Sequence, residues 1–161
     1  MNIIFLDIDG VLATRATRFA GDHFDPECAK HLKEIIDRTD SYVVISSTWR
    51  YNRALWQFAA LFDAVGIDGS RVLDVTPMSD KKRGSLYVSK SRGAEISEWL
   101  RHAGSKYRIG RYIVIDDDSD VQPHEKRWVK TDTYKGLSKE NVEEAVRLLS
   151  GENALNLVGL K

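Results

Sequence analysis

The chain has 161 residues, of which 24 are basic and 24 acidic, so its formal net charge is zero. This balance excludes a broad electrostatic attraction to nucleic acid or to a membrane surface, although it is compatible with a local basic strip. Apolar residues make up 42% of the chain and charged residues 30%, which is typical of a globular domain rather than a disordered chain. Because Cys28 is the single cysteine, an internal disulfide framework and a cysteine-rich metal site are excluded as well.

The length suits one compact domain, which we assign to residues 1–150, with residues 151–161 as a C-terminal extension. Asp7 interrupts the apolar N-terminal segment before it reaches the roughly 7–15 apolar residues of a signal peptide. No segment approaches the roughly 18 consecutive apolar residues of a membrane-spanning helix. We therefore expect a cytoplasmic protein that does not contact a membrane.

Five short apolar segments predict the strands of one sheet. They are too short and too rich in β-branched residues for buried helices, and both faces of each segment are apolar, as in a sheet covered on both sides. Segments of helical period alternate with them, and this alternation predicts an α/β domain with a parallel sheet. The predicted strands are residues 3–6, 42–45, 72–75, 112–115 and 128–129.

Four amphipathic segments predict the helices of this domain. Asp25 is the predicted N-cap of the first helix, with Pro26 at the first helical position. The other three span about residues 52–66, 91–104 and 138–151, and each ends at a glycine. The apolar stripes on these helices are most simply explained as faces that form the core.

Two carboxylates follow the first predicted strand. In an open parallel sheet, ligands bind at the carboxyl ends of the strands. Asp7 and Asp9 are spaced by two on an extended backbone, so they point roughly the same way, and Gly10 allows a sharp turn just beyond them. A solvated turn with an Asx contact is the structural alternative. Two carboxylates at a buried strand end repel each other, however, and this favours compensation by a metal ion.

Hydroxyl side chains follow the second predicted strand. Ser46, Ser47 and Thr48 stand at its end, where hydroxyl and backbone N–H groups can hold a phosphate. Arg50 follows them. Its guanidinium suits either a two-pronged contact with a phosphate or carboxylate, or a structural ion pair, and both interpretations stay open at this point.

Three consecutive acids, at residues 116–118, follow the fourth predicted strand. A helix N-cap followed by solvated acids is the structural alternative. Acids in succession at a strand end are costly without a cation, however, and Asp7 and Asp9 are expected at the same edge of the sheet. Together with Asp116 and Asp117, they predict an Mg²⁺ site built from oxygen ligands.

Basic residues precede and begin the third predicted helix. We interpret the basic strip, residues 81–83, first as a solvated loop face. Lys90 and Arg92 differ from it, because a cation at a helix N-terminus opposes the helix dipole and requires a nearby anion.

These residues, in this order along the chain, resemble the four motifs of the haloacid dehalogenase (HAD) superfamily of aspartyl phosphotransferases, over about residues 3–149. Three further segments, residues 46–50, 92–96 and 135–138, are similar to the small HAD domains of multi-domain RNA-repair proteins and of polynucleotide kinase-phosphatases. The resemblance implies a three-layer Rossmann-like HAD fold, with a central parallel sheet of about five strands and helices on both faces. The motifs correspond to Asp7-Ile8-Asp9-Gly10, to Ser46 or in the alternative register Ser47, to Lys90 or Arg92, and to Asp116-Asp117.

The resemblance also implies a mechanism. Asp7 would attack phosphorus and form an aspartyl-phosphate, while Asp9 would protonate the leaving oxygen and later deprotonate the attacking water. The presence of Asp9 favours phosphate-ester hydrolysis over the carbon–halogen chemistry of other members. Mg²⁺ would be held by Asp7, by the backbone carbonyl of Asp9 and by Asp117 or Asp116. The implied phosphoryl-binding residues are Ser46 and Lys90 or Arg92, and the implied substrate-binding residues are Gly10, Ser47, Thr48 and Arg50.

The intervals between the motifs are too short for a full cap domain, so we expect an open site that admits a polymer end. The preferred interpretation is a phosphatase acting on RNA or DNA ends, with a 3′-phosphate favoured over a 5′-phosphate. The basic strip would contact the nucleic-acid backbone, and Trp49 or Tyr51 would stack on a terminal base.

Three alternatives remain at this stage. The first is a phosphatase of free nucleotides or other small phosphate esters. The second is a phospho-acceptor signalling module of the response-regulator type. That type is disfavoured because its acid pair follows the first strand and its acceptor a middle strand, the reverse of the order here. The third is a non-catalytic HAD scaffold, disfavoured because no acid of the set is missing.

Overall fold

The structure of the chain is a computed structural model that describes residues 1–18, 23–78, 81–83, 86–88 and 91–151. Its strands are β1 (Asn2–Leu6), β2 (Ser41–Ile45), β3 (Val72–Val75), β4 (Lys81–Arg83), β5 (Leu86–Val88), β6 (Tyr112–Asp116) and β7 (Trp128–Lys130). Its α-helices are α1 (Arg15–Arg18), α2 (Pro26–Thr39), α3 (Leu55–Ala64), α4 (Arg92–Ala103) and α5 (Lys139–Ser150). Short 3₁₀ helices cover Thr48–Tyr51, Gly69–Arg71 and Glu125–Arg127.

The central sheet has five parallel strands in the order β3-β2-β1-β6-β7. All five predicted strands are confirmed, and so is the α/β fold class. In the middle of the sheet, Leu6 pairs with Ile45 on one side and with Ile115 on the other. Because the strands are parallel, the residues that follow these three leave the sheet at the same edge.

Helices cover both faces of this sheet and produce three layers. Helices α2, α3 and α5 pack with Ile4 and Leu6 on one face, whereas α4 packs with Ile3 and Phe5 on the other. The alternation follows from the two-residue period of a strand, and all four side chains are fully buried. The ring of Phe5 meets that of Trp99 in α4 edge-on, with 5.3 Å between their centroids.

Side chains at the helix ends explain where the helices begin. The Asp25 carboxylate accepts hydrogen bonds from the backbone N–H groups of residues 27 and 28 and so caps α2. Ser91 caps α4 in the same way, and Ser138 caps α5. Helix α5 ends at Gly151, which has a φ of 66°. These predicted boundaries are confirmed, and residues 152–161 of the predicted extension lie outside the described residues.

Helix α3 begins at Leu55 rather than near Asn52. The reason is the 3₁₀ turn before it, because the hydroxyl of Ser47 accepts a hydrogen bond from the N–H of Trp49 and starts that turn instead. Apolar periodicity places the face of a helix well, but the first turn depends on such local caps.

The basic strip was expected as a solvated loop face, but it forms strand β4 and pairs antiparallel with β5, with Lys81 opposite Val88. This is a correction. The Leu-Tyr-Val segment of β5 carries the β-forming residues that make the pairing favourable. Within the described ranges, α1 and this hairpin are the elements that the motif intervals add to the central sheet, its covering helices and the short 3₁₀ turns, and they do not form a full cap domain. In the same part of the chain, no helix is long and apolar enough to span a membrane.

Candidate active site

Three aspartates meet at the carboxyl edge of the sheet. Asp7 directly follows β1, Asp116 is the last residue of β6, and Asp117 comes next along the chain. Each offers a carboxylate oxygen, and these oxygens lie within 4.8 Å of one another. Asp7 and Asp116 are buried and Asp117 is half-buried. The pairing of β1 with β6 therefore brings together acids that are more than a hundred residues apart in sequence.

Arg92, the first residue of α4, faces this cluster. Its Nη1 atom lies 3.1 Å from Oδ2 of Asp7 and 2.5 Å from Oδ2 of Asp116. These carboxylates are the nearby anions that a cation at a helix N-terminus requires. Lys90, the alternative basic residue, lies outside the described residues.

Burial disfavours ionisation of Asp7 and Asp116. Burial, with a further contribution from Asp116, raises the pKa of Asp7 to about 8, although Arg92 acts in the opposite direction. Burial also raises the pKa of Asp116. Burial acts to lower the pKa of Arg92, but Asp7 and Asp116 outweigh this and raise it, so the guanidinium stays charged. Among the described residues one arginine thus faces three carboxylates, and their oxygen donors suit a divalent cation such as Mg²⁺.

Asp9 is set apart from this cluster. Its Oδ2 atom accepts a hydrogen bond of 3.2 Å from the indole N–H of Trp49, and its carboxylate is not one of the three clustered groups. The chain turns just after Asp9, at Gly10, which has a φ of 77°. A side chain at Gly10 would collide with the carboxylate of Asp117, so both the backbone conformation and the close approach require glycine. The turn thus holds Asp9 near the cluster but separate from it.

Ser46 and Ser47 follow β2, and their hydroxyls differ in one respect. Both residues are fully buried. The hydroxyl of Ser47 caps the 3₁₀ turn, whereas Oγ of Ser46 has no hydrogen-bond partner in the described part of the chain. A buried polar atom without a partner is costly, which is typical of a position that a ligand completes. Thr48, predicted beside them, is exposed.

Arg50 is a correction to the predicted substrate-binding set. Its guanidinium is buried and forms a 2.5 Å ion pair with Glu95 of α4. It also donates hydrogen bonds to the backbone carbonyls of Ser46, Ser47, Thr76 and Pro77. These contacts use all five guanidinium N–H donors, so none is left for a substrate. The structural ion pair, the alternative weighed for this residue, is the one observed.

The aromatic residues proposed for base stacking lie on this same segment. Trp49 is half-buried and packs against the core, with its ring 6.1 Å from that of Phe24. The guanidinium of Arg53 lies 4.4 Å from the Trp49 ring. Tyr51 is 45% exposed, and its ring lies 5.1 Å from the guanidinium of Arg50. Trp49 is therefore placed to hold Asp9 rather than to offer a free face to a base.

A cleft of about 420 Å³ opens from the acids, and sequence reasoning missed its far wall. Thr133 and Tyr134 of that wall lie in the loop that follows β7. The hydroxyl of Thr131 donates a 2.7 Å hydrogen bond to the carbonyl of Gly10, and that of Thr133 donates one to Asp117. The signal was available, because this loop also leaves the carboxyl edge of the sheet. The residues lining the cleft are Asp9, Gly10, Ala13, Arg15, Asp117, Thr133 and Tyr134.

The parallel sheet in this strand order, with aspartates at the ends of β1 and β6, defines a HAD-type α/β domain. Over residues 3–142 the chain matches the family described as the HAD domain in Swiss Army Knife RNA repair proteins, and it belongs to that family. No curated protein and no solved structure is significantly similar to the chain. Membership of this family supports a phosphatase or hydrolase activity.

Proposed function

We propose that the protein is a Mg²⁺-dependent phosphatase that removes a terminal 3′-phosphate from nucleic acid through an aspartyl-phosphate intermediate. The observation that carries the proposal is the composition of the site. Three carboxylates converge with one arginine, and the partnerless hydroxyl of Ser46 follows the neighbouring strand. A carboxylate nucleophile, a cation that neutralises charge and donors for phosphoryl oxygens are what such a reaction requires.

The side chains of Asp7, Asp116 and Asp117, with the backbone carbonyl of Asp9, would hold the metal ion. When bound, Mg²⁺ would offset the repulsion between the carboxylates and a phosphate dianion. The fit rests on the donor set, since three carboxylates that converge at one point offer the oxygen ligands that Mg²⁺ prefers.

Asp7 is our nucleophile, because it is buried, contacts Arg92 and directly follows the central strand. An oxygen of its carboxylate attacks phosphorus and forms the P–O bond of the aspartyl-phosphate, while the bond from phosphorus to the leaving oxygen breaks. Arg92 and the hydroxyl of Ser46 would stabilise the phosphoryl oxygens during this transfer.

Asp9 is our general acid and base. It lies outside the acid cluster, is oriented by Trp49 and lines the open cleft. It donates a proton to the leaving oxygen as that bond breaks. It then accepts a proton from the water that attacks the aspartyl-phosphate, and inorganic phosphate leaves with Asp7 regenerated.

The substrate class rests on two further points. The matching family is described by its occurrence in RNA repair proteins. The cleft beside Asp9 is also open, and a site without a cap domain can admit the end of a polymer. A 3′-phosphate at an RNA or DNA end is the substrate that we propose.

The test measures phosphate release from a 3′-phosphorylated oligoribonucleotide, its deoxy equivalent, the 5′-phosphorylated isomer and the matching 3′-mononucleotide. Each is assayed with Mg²⁺ and with EDTA. Asp7→Asn is the inactive reference, and Asp37→Asn, the same change at an exposed position on α2, is the matched control. We expect the 3′-phosphorylated oligonucleotide to be the preferred substrate. Better cleavage of the mononucleotide would instead assign the enzyme to small phosphate esters, and full activity in EDTA would contradict the metal site.

A further inference from the structure

We propose that Tyr134 and Arg15 form a subsite for the leaving group, in which the Tyr134 ring stacks on the terminal nucleobase and Arg15 binds the next phosphate of the chain. This inference rests on the proposed function and specifies its substrate: a polynucleotide end that carries a base, rather than any accessible phosphate ester. We call these two residues the Tyr134–Arg15 pair.

The position of the pair relative to Asp9 is the first argument. Asp9 and Asp117 line the same cleft as Arg15 and Tyr134. The general acid must lie beside the leaving oxygen, because it transfers a proton to that atom. The group attached to that oxygen, a nucleoside in a 3′-phosphorylated end, therefore extends into this cleft and toward Tyr134.

The loop that carries Tyr134 is the second argument, because its backbone is held on several sides. The carboxylate of Asp132 accepts hydrogen bonds from the N–H groups of Tyr134 and Lys135, at 2.8 and 3.0 Å. The N–H of Leu137 donates to the carbonyl of Val11, in the turn that follows Asp9. A ring on such a preorganised loop loses little freedom when it binds a ligand.

Close packing against Cys28 and Val11 also holds the loop that carries Tyr134. Gly136 has a φ of 72°, and a side chain there would meet Sγ of Cys28 and the carbonyl of Val11 at 2.7 Å. The thiol of Cys28 also donates a 3.4 Å hydrogen bond to the carbonyl of Lys135. The loop therefore lies against α2 and the turn that follows Asp9, while the Tyr134 side chain is 65% exposed.

The chemistry of the pair is the third argument. The guanidinium of Arg15 lies 5.5 Å from the centroid of the Tyr134 ring, and Arg15 is exposed. An aromatic ring next to a cation is the combination that single-stranded nucleic acids bind, since the ring stacks on a base and the cation contacts the backbone. A cleft of about 420 Å³ also falls in the size range of small-molecule and nucleotide sites.

The decisive comparison uses two 3′-phosphorylated oligonucleotides that differ only in the terminal residue, adenosine in one and an abasic residue in the other. We expect the wild type to have a higher kcat/KM for the adenosine end, and we expect Tyr134→Ala to reduce that preference about ten-fold. Tyr134→Phe should retain it, because the ring is kept. Trp56→Ala is the matched control: it removes an aromatic residue that is 70% exposed and lines a separate cleft. An unchanged preference in Tyr134→Ala, or an equal loss in Trp56→Ala, would overturn the subsite.

Arg15 is tested through chain length and salt. Arg15→Gln should reduce the preference for the oligonucleotide over the 3′-mononucleotide, which lacks the next phosphate. It should also lower the slope of log(kcat/KM) against log[salt] by about 0.7, the value for one phosphate contact on a single strand. Arg101→Gln, at an exposed arginine in the last turn of α4, is the matched control. The same salt slope in both variants would contradict the phosphate contact.

A binding assay separates this inference from the proposed function. Fluorescence anisotropy measures the Kd of both labelled oligonucleotides for Asp7→Asn and for the double variant Asp7→Asn/Tyr134→Ala. If Asp7→Asn binds the adenosine end more tightly than the abasic end and the double variant does not, the subsite is supported. This holds even if the wild type hydrolyses none of the esters, a result that would refute only the phosphatase. Hydrolysis without any dependence on Tyr134 in either assay would refute the subsite and leave the phosphatase standing.

Discussion

Arg50 and Arg92 are both largely enclosed arginines that pair with acids near the carboxyl edge of the sheet, yet their surroundings differ in charge balance. Arg50 pairs with the carboxylate of Glu95, and four backbone carbonyls accept hydrogen bonds from its remaining N–H groups. Arg92 contacts two aspartates, and a third lies beside them. We call these the balanced pair and the unbalanced cluster.

The difference indicates which arrangement stabilises the fold and which binds a ligand. In the balanced pair each donor has an acceptor, so nothing further is needed and the pair fixes the turn after β2 against α4. In the unbalanced cluster the acids outnumber the cations that the described residues supply, and burial raises the pKa of Asp7 and Asp116. Perturbed pKa values in a buried cluster of acids are typical of functional positions. Substitutions that neutralise an acid should therefore have opposite effects in the two places.

The largest effect is expected for Asp7→Asn in the unbalanced cluster. The nearly isosteric amide cannot form the aspartyl-phosphate, so the phosphatase kcat should fall roughly 10⁴-fold or more. Because the substitution also removes a carboxylate whose pKa burial raises, the metal-free protein should unfold at a higher temperature than the wild type. Phosphate release and thermal denaturation measure the two effects. Retained turnover would mean that Asp7 is not the nucleophile.

Glu95→Gln in the balanced pair should destabilise the protein, the opposite of the effect of Asp7→Asn on stability. Gln keeps the shape and one acceptor but leaves the Arg50 guanidinium buried without a counter-charge, which should lower the free energy of unfolding by about 3 kcal/mol. Urea denaturation measures this change in the free energy of unfolding. Glu34→Gln, in an exposed ion pair with Arg38 on α2, is the matched control and should cost less than about 0.5 kcal/mol. An equally small cost for Glu95→Gln would remove the distinction between the two arrangements.

The two neighbouring serines extend the same comparison to neutral groups. Ser46→Ala should lower kcat about 100-fold, as loss of one donor to the phosphoryl group does. It should not lower stability, because its buried Oγ has no hydrogen-bond partner in the described part of the chain. Ser47→Ala should lower the free energy of unfolding by about 1 kcal/mol through loss of the cap. Steady-state kinetics and urea denaturation of both variants test this. Loss of activity in Ser47→Ala but not in Ser46→Ala would mean that Ser47 is the motif residue.

The sequence allowed the acids of the site to be predicted because each follows an apolar strand. Strand periodicity places Asp7 and Asp116 at strand ends, and the parallel arrangement brings those ends to one edge. The partner of Arg50 had no such signal, since Glu95 lies 45 residues further along the chain and reaches it only when α4 packs against the turn after β2.

Sequence reasoning missed Tyr134 in the cleft for a related reason, although the position of its loop at the carboxyl edge of the sheet was accessible. Tyr134 has no charge or motif that marks it, and its position depends on how the Asp132 turn docks on the loop after β1. The start of α3 was also misplaced, because the cap at Ser47 belongs to a 3₁₀ turn that apolar periodicity does not register. Strand order and register are thus accessible from the sequence, whereas contacts between loops require the folded structure.

The last prediction concerns pH and the metal. The pKa of Asp7 rises on folding from its ordinary value of 3.8 to about 8, so its contribution to the stability of the metal-free protein is present below about pH 4 and is lost as the pH rises through 8. Mg²⁺ binds the ionised carboxylate. Each pH unit below that pKa should therefore weaken Mg²⁺ affinity up to about ten-fold, which corresponds to a difference of roughly 3–5 °C in the Mg²⁺-induced increase of Tm.

Thermal denaturation with and without Mg²⁺ between about pH 5 and pH 8 measures this increase, and we expect it to grow with pH. In Asp7→Asn the growth should be strongly reduced, because the group with the largest change in pKa is gone. Asp37→Asn should behave as the wild type, since that carboxylate is exposed and remote from the cluster. The increase in Tm reports binding directly and needs no substrate, so it tests the unbalanced cluster independently of the reaction. An increase of equal size at every pH would mean that the cation binds elsewhere, and the excess of acids around Arg92 would then need another explanation.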